Sequence, residues 1–151
     1  MNTKVFFIVR AISGSGKSTI SLLISRGYGS GCKIFSTDNY FIVNGKYSFD
    51  ATKLHEYHNK TLSDVDNAMK DNVECIILDN TNLKAKDVKP YIEFAKTHGY
   101  SITVIEVDCG LEASKIRNNT RPLNRRIPDH VLEAQHKSFI NARLNVGELV
   151  R

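Results

Sequence analysis

The chain has 151 residues, with 21 Lys and Arg against 16 Asp and Glu, a formal net charge of +5. That length suits one domain, spanning 1–151, with a core that needs no disulfide or metal staples. A composition of 41% hydrophobic and 25% charged residues excludes disordered and collagen-like classes, and no apolar run approaches the roughly 18–20 residues that span a bilayer.

The first predicted element is a strand over Lys4–Arg10, rich in β-branched and aromatic residues. Its apolar run stops at Arg10, too short for a signal peptide. A glycine cluster, Ala11–Gly16, follows, then a helix from about Lys17 to Arg26 with Ile20, Leu23 and Ile24 on one face. Gly27, Gly29 and Gly31 end it. Cys32–Ser36 reads as a second strand that runs straight into Thr37-Asp38-Asn39.

Asn44-Gly45 predicts a small hairpin between Phe41 and Phe49. Asp50 can cap a helix reaching about Asp71, with Leu54, His58, Leu62, Val65 and Met69 at near-helical spacing. Glu74–Asp79 is a third strand, apolar on both faces as inside a parallel sheet. A helix over about Lys84–His98 stops at Gly99, with Pro90 expected in or near its first turn. Ile102–Val107 is a fourth strand, and Leu111–Asn118 a short helix. After an irregular basic stretch, a last helix begins near Pro128-Asp129, with Val131, Leu132, Phe139, Ile140 and Leu144 expected on its buried face. Strands separated by helices give βαβ units, hence a three-layer α/β domain around a parallel sheet.

Cys32, Cys75 and Cys109 are an odd count without CxxC spacing. They read as buried thiols in a cytoplasmic or other reducing compartment. Two matches to the glycosylation sequon, at Asn59 and Asn118, read as chance without a secretion signal. The five histidines form no metal-ligand pattern.

Ala11-Ile12-Ser13-Gly14-Ser15-Gly16-Lys17-Ser18-Thr19 matches the phosphate-binding pattern G-x-x-x-x-G-K-[ST], with Ala11 in place of the first glycine. A strand before and a helix after are the context that the pattern requires. Successive backbone N–H groups from Ser13 to Thr19 would cradle phosphates at the helix N-terminus. Lys17 would reach the β- and γ-phosphates of ATP, and the Ser18 hydroxyl would ligate Mg²⁺. Ala11 fits if its φ is negative. The alternative, a glycine-rich turn that binds nothing, is disfavoured by Lys-Ser following glycine here.

Ligands of open α/β sheets bind at the carboxyl ends of the strands, and two aspartates fall at that edge. Asp79 suits a metal-holding acid, or else caps the next turn. Asp38 suits a general base for an acceptor hydroxyl, or else an N-cap or Asx-turn residue. Kinase and ATPase are not separated by these positions alone. Lys115, Arg117, Arg121, Arg125 and Arg126 lie within twelve residues without an acid among them, and account for the whole excess charge. A basic helical lid over about 111–128 would place Arg117 and Arg121, one helical turn apart, over the nucleotide, with Arg121 as the transition-state cation. Arg125 and Arg126 could meet an anionic substrate backbone; a solvated charged face is the plain alternative. Tyr40, Phe41, Tyr47 and Phe49 cluster beside Asp38, mostly as core, with one a possible base-stacking platform.

Taken together, Gly14–Thr19, Ser36-Thr37-Asp38-Asn39-Tyr40-Phe41, and Leu78-Asp79-Asn80-Thr81-Asn82 resemble the P-loop polynucleotide kinase family. Pro90-Tyr91, Gly99-Tyr100, Arg117-Asn118, Arg121, Ile127-Pro128 and Val131-Leu132 extend the resemblance from about Lys4 to Phe139. It implies a P-loop NTPase/kinase fold and transfer of the ATP γ-phosphate to a 5′-hydroxyl end of RNA or DNA, as in nucleic-acid repair. By that resemblance Lys17 and Ser18 bind ATP and Mg²⁺, Asp38 is the general base and Arg121 the lid arginine. Phe41 stands where phage-type members have arginine, and Asn39 replaces a common second aspartate. Both changes bring the chain nearer the branch that includes the kinase-like segment of cyclic-nucleotide phosphodiesterases. Two rival functions are a small-molecule or nucleoside kinase, and an ATP-binding interaction module without transfer activity.

Overall fold

The computed structural model describes residues 3–151. Four parallel strands make the main sheet: β1 (Val5–Arg10), β2 (Cys32–Phe35), β5 (Cys75–Asp79) and β6 (Ser101–Glu106), in the order β2-β5-β1-β6. The hairpin strands β3 (Ile42–Val43) and β4 (Lys46–Tyr47) stand apart. Among the described residues there are six α-helices: α1 (Lys17–Tyr28), α2 (Leu54–Lys70), α3 (Ala85–Thr97), α4 (Leu111–Asn119), α5 (Asp129–Asn141) and α6 (Arg143–Val150), with short 3-10 turns between elements.

Alternation along β1 splits the core in two. Phe6 and Ile8 meet Val65, Met69, Val88, Ile92 and Val146, from α2, α3 and α6. On the other face Val9, Cys75 and Ile77 pack with Val5, Phe7, Ile24 and Ile34. β5 lies between two strands and under both layers, so every residue in it is buried, which is why its sequence carries no polar alternation. This is the predicted three-layer α/β arrangement.

Four local expectations change. Leu23 is exposed, because α1 turns Ser21 and Ile24 toward the sheet and Leu23 lies beyond that stripe. Pro90 sits in the second turn of α3, removing the amide that would reach the Lys86 carbonyl, which is on an exposed residue. Asp50 caps a short 3-10 turn (Ala51–Lys53) ahead of α2, accepting from the Thr52 N–H at 3.0 Å. The last helix is broken at Ala142, so that Ala142 and Val146 enter the larger core while Ile140 and Leu144 face solvent.

Arg10 shows how the site end of the sheet is fastened. The run that it terminates reads as the end of a strand, yet its side chain is fully buried. It donates to the carbonyls of Asn82, Leu83 and Phe139 and to Glu106 Oε1, at 2.8–3.1 Å. Its guanidinium also lies over the Phe139 ring, 4.7 Å from the centroid. Glu106 takes a second guanidinium, from Arg143, at 2.6 Å. One arginine thus ties the segment after β5 and helix α5 to the end of β1. Replacing it with leucine strands three carbonyls and half of the Glu106 pairing, and is expected to cost about 3–5 kcal/mol. Urea unfolding would measure that loss; a change below 1 kcal/mol would remove Arg10 from this role.

Candidate active site

The glycine-rich loop between β1 and α1 takes the geometry that anion binding needs. Gly14 (φ 80) and Gly16 (φ 92) are left-handed, while Ala11 is not among the residues with positive φ, so the alanine is accommodated as expected. A Cβ on Gly14 would come within 3.0 Å of the Ser114 carbonyl, and one on Gly16 within 3.2 Å of the Arg117 guanidinium. Helix α4 therefore packs directly on the loop. Ser15 Oγ braces the turn, donating to the Ile12 carbonyl at 2.6 Å.

Two cavities flank Lys17. The first, about 620 Å³, is lined by Gly14–Ile20, Val107, Arg117, Thr120 and Arg121. It contains every loop residue expected to hold phosphates except Ser13. The second, about 560 Å³, has Asp38 and Asp79 in its wall, with Ser13, Tyr47, His58 and the lid arginines Arg121, Arg125 and Arg126. Lys17 and Arg121 border both. Ser13 lines the second cavity and spends its N–H on Gln135 Oε1, at 2.9 Å.

Asp38 lies in a short 3-10 helix (Thr37–Phe41) after β2. That turn is fixed from β5: Asn80 Oδ1 accepts from the Thr37 N–H at 3.0 Å and Asn80 Nδ2 donates to the Thr37 hydroxyl at 3.2 Å. Asp79 is buried, and its Oδ1 has no hydrogen-bond partner. A carboxylate oxygen withdrawn from water without a donor fits a cation as its missing partner. Among the described residues no group of three or more His, Cys, Asp or Glu could hold a metal alone, so such a cation would take its remaining ligands from a hydroxyl such as that of Ser18, a bound phosphate and water. Asn82, in the same run, has φ 50 and donates to the Val9 carbonyl at 2.8 Å, which anchors the segment that carries Asp79.

The lid is less helical than expected. α4 ends at Asn119 with Arg117 in its last turn, and Arg121 follows in a turn closed by its own N–H on the Asn118 carbonyl. The buried Asn118 side chain holds the far side, donating to the Ile127 carbonyl at 2.6 Å and accepting from its N–H at 3.0 Å. Lys115 leaves the basic set: it pairs with Glu133 at 2.9 Å and Glu112 at 3.7 Å, and borders neither cavity. Arg117, Arg121, Arg125 and Arg126 form no ion pair among the described residues. Burial, with Arg125 nearby, pulls the Arg121 guanidinium below its ordinary value, opposed by Asp38 and Tyr47.

The lid also touches the hairpin. Asn124 donates to the Tyr47 carbonyl at 3.1 Å, and the Arg125 guanidinium stacks 4.3 Å from the centre of its ring. Burial, then the Asp38 charge, raises the Tyr47 hydroxyl above its usual range. Asn44 and Gly45 both have positive φ, as the hairpin turn predicts. Phe41 is buried at the hub of an aromatic cluster, with Phe49 and Tyr57 at ring-centre distances of 5.0 and 4.8 Å. Tyr40 stacks on Tyr57, and Phe49 is largely exposed, so Phe41 alone of the four is core. His58, in the helical stripe with Leu54 and Leu62, borders the second cavity, with Nδ1 3.4 Å from the Thr37 hydroxyl.

Gln135 and Arg10 organise the site but belong to no motif, whereas Asn80 and Asn82 lie in the run after Asp79 and Asn118 follows Arg117 in the quoted Arg117-Asn118 pair.

Residues 7–142 match the AAA domain family. Human NEDD4-binding protein 2 is 38% identical over 104 residues, covering 69% of this chain and 6% of that protein. Rat 2′,3′-cyclic-nucleotide 3′-phosphodiesterase is 29% identical over 103 residues, 68% of this chain and 24% of that one. This chain therefore spans a small fraction of either relative. In the structure of the Pnkp1/Rnl/Hen1 RNA repair complex, a chain superposes with a TM-score of 0.80 at 17% identity, over 96% of this chain and 47% of that chain. The chain belongs to the AAA domain family, as a member with the P-loop kinase-like fold.

Proposed function

We propose that the chain transfers the γ-phosphate of ATP to a hydroxyl, with the 5′-OH end of RNA or DNA as acceptor. The observation that carries this reading is the two-cavity layout: Lys17 and Arg121 stand between a phosphate-loop cavity and a second one walled by Asp38. A simple hydrolase needs room for one water beside the γ-phosphate, whereas the second cavity admits a nucleoside-sized acceptor. The polynucleotide setting is favoured by Arg125 and Arg126, cations on the acceptor side without an ion pair among the described residues, and by the RNA repair complex among the structural relatives.

In this reading the loop N–H groups from Gly14 onward hold the phosphates and Lys17 bridges the β- and γ-phosphates. Arg117 covers the loop at Gly16. Asp38 accepts the proton of the attacking hydroxyl, and Arg121 meets charge that develops on the equatorial oxygens. Asp79 and Ser18 would hold Mg²⁺, which when bound neutralises phosphate charge. Because phosphoryl transfer depends on positioning and electrostatics, Asp38 must stand within reach of the hydroxyl to take its proton and need not be a strong base.

The test is incubation with γ-labelled ATP and a 5′-OH oligonucleotide. Label at the 5′ end is the expected result. ATP binding without label transfer would overturn the polynucleotide assignment, and labelling of free nucleosides undiminished by excess oligonucleotide would move the function to a small-molecule kinase.

A further inference from the structure

Cys32 opens β2 and Cys75 opens β5. The strands are parallel neighbours, and Cys32 is the direct register partner of Cys75. Both side chains project to the α1 face, where they join the smaller core. Their Sγ atoms are 3.0 Å apart and both thiols are free. Adjacent strands are spaced by about 4.7–4.9 Å, inside the roughly 4.4–6.8 Å range of Cα separations that a disulfide spans. Cys109 lies elsewhere, with Sγ 3.3 Å from the Ser114 hydroxyl at the start of α4. Of the three thiols expected to be buried, Cys75 is buried while Cys32 and Cys109 are half-buried, and the β2–β5 pairing brings Cys32 and Cys75 together.

We propose that Cys32 and Cys75 form an oxidation site, which a hydroperoxide converts to a cross-strand disulfide within the chain. Cys32 is half-buried and Cys75 fully buried, so the two thiols have different parts. Burial, then Cys32 and the neighbouring Glu74, hold the Cys75 thiol well above its ordinary value, which leaves Cys32 as the attacking sulfur. Its thiolate attacks the peroxide: an S–O bond forms, the O–O bond breaks, and water or an alcohol leaves. The sulfur of Cys75 then displaces the sulfenic oxygen: the S–S bond forms, the S–O bond breaks, and water leaves with the Cys75 proton. Two thiols give up two electrons and two protons, and the peroxide takes both.

The bond has a definite place in the fold. β2 is an edge strand held to the sheet by a four-residue ladder with β5. Between the two cysteines run Asp38, the hairpin and α2. A disulfide closes that segment into a loop, which constrains the unfolded chain more than the native one. It forms at the amino ends of the strands, opposite the carboxyl edge that carries Asp38 and Asp79. Stability is therefore the property that responds, with the site geometry left in place.

The experiment treats the full chain with hydrogen peroxide and titrates thiols after denaturation. Free thiols should fall from the three of the reduced chain to one, with peptide mapping linking Cys32 to Cys75 and a monomer on a non-reducing gel. Tm should rise by about 5–10 °C and return with dithiothreitol. Cys32→Ser leaves the buried Cys75 in place, and should melt within about 2 °C of the reduced wild type while showing no peroxide-dependent rise. Three thiols surviving treatment, a bond through Cys109, an intermolecular bond, or an unchanged or lower Tm would each overturn the proposal.

Discussion

Replacing Asp38 with Asn is expected to lower phosphoryl transfer by about 10²–10⁴-fold while leaving ATP affinity within about twofold. The substitution keeps size and hydrogen-bonding reach and removes the negative charge, and with it the ability to take a proton. Asp38 stands in the wall of the second cavity, on a turn held by the paired hydrogen bonds of Asn80 with Thr37, so an amide there has no reason to move. It does not line the phosphate-loop cavity, which is why nucleotide binding should be nearly silent. Single-turnover transfer and fluorescent-nucleotide binding, measured on the same variant, separate the two effects. Equal losses in both would make Asp38 a structural residue of the turn. An unchanged transfer rate would take it out of the chemistry altogether.

What the sequence disclosed about this site follows from how far apart the interacting residues are. The phosphate loop is contiguous, and its glycines state their own backbone requirement, so Gly14 and Gly16 are legible without a fold. Asp38 and Asp79 are legible one step later, since each follows a recognisable strand and parallel sheets present such residues at one edge. The residues that hold these in place are not legible. Gln135 reaches Ser13 across 122 positions, and Arg10 reaches Phe139 across 129. Neither partner can be guessed from periodicity, because a polar side chain on a helix reads as solvated until something is known to face it. Leu144 fails for a related reason: the break at Ala142 rotates α6, and helical spacing counted through the break assigns the wrong face. Lys115 looked equivalent to its basic neighbours because Glu133 lies beyond the acid-free stretch, on α5.

Arg10 and Arg121 make the contrast between a structural and a working arginine measurable. Arg10 is buried with its donors distributed over three carbonyls and a carboxylate; its charge is matched, and the fold depends on it. Arg121 is half-buried between two cavities, beside Arg125, with no ion pair among the described residues and its guanidinium pulled below its ordinary value by burial. A charge so placed is poorly solvated and only partly offset, by Asp38, until an anion arrives, which is a preorganised arrangement that stabilises developing negative charge effectively. Arg121→Ala is therefore expected to lower transfer by about 10³–10⁵-fold, with ATP affinity reduced only several-fold. Arg121→Lys should recover little, since an ammonium cannot present the planar fork to two oxygens at once. Thermal unfolding should move the other way from Arg10→Leu, with Tm unchanged or raised, because the variant removes a desolvated cation next to another. A marked fall in Tm together with full transfer activity would place Arg121 with Arg10, among the residues that hold the fold.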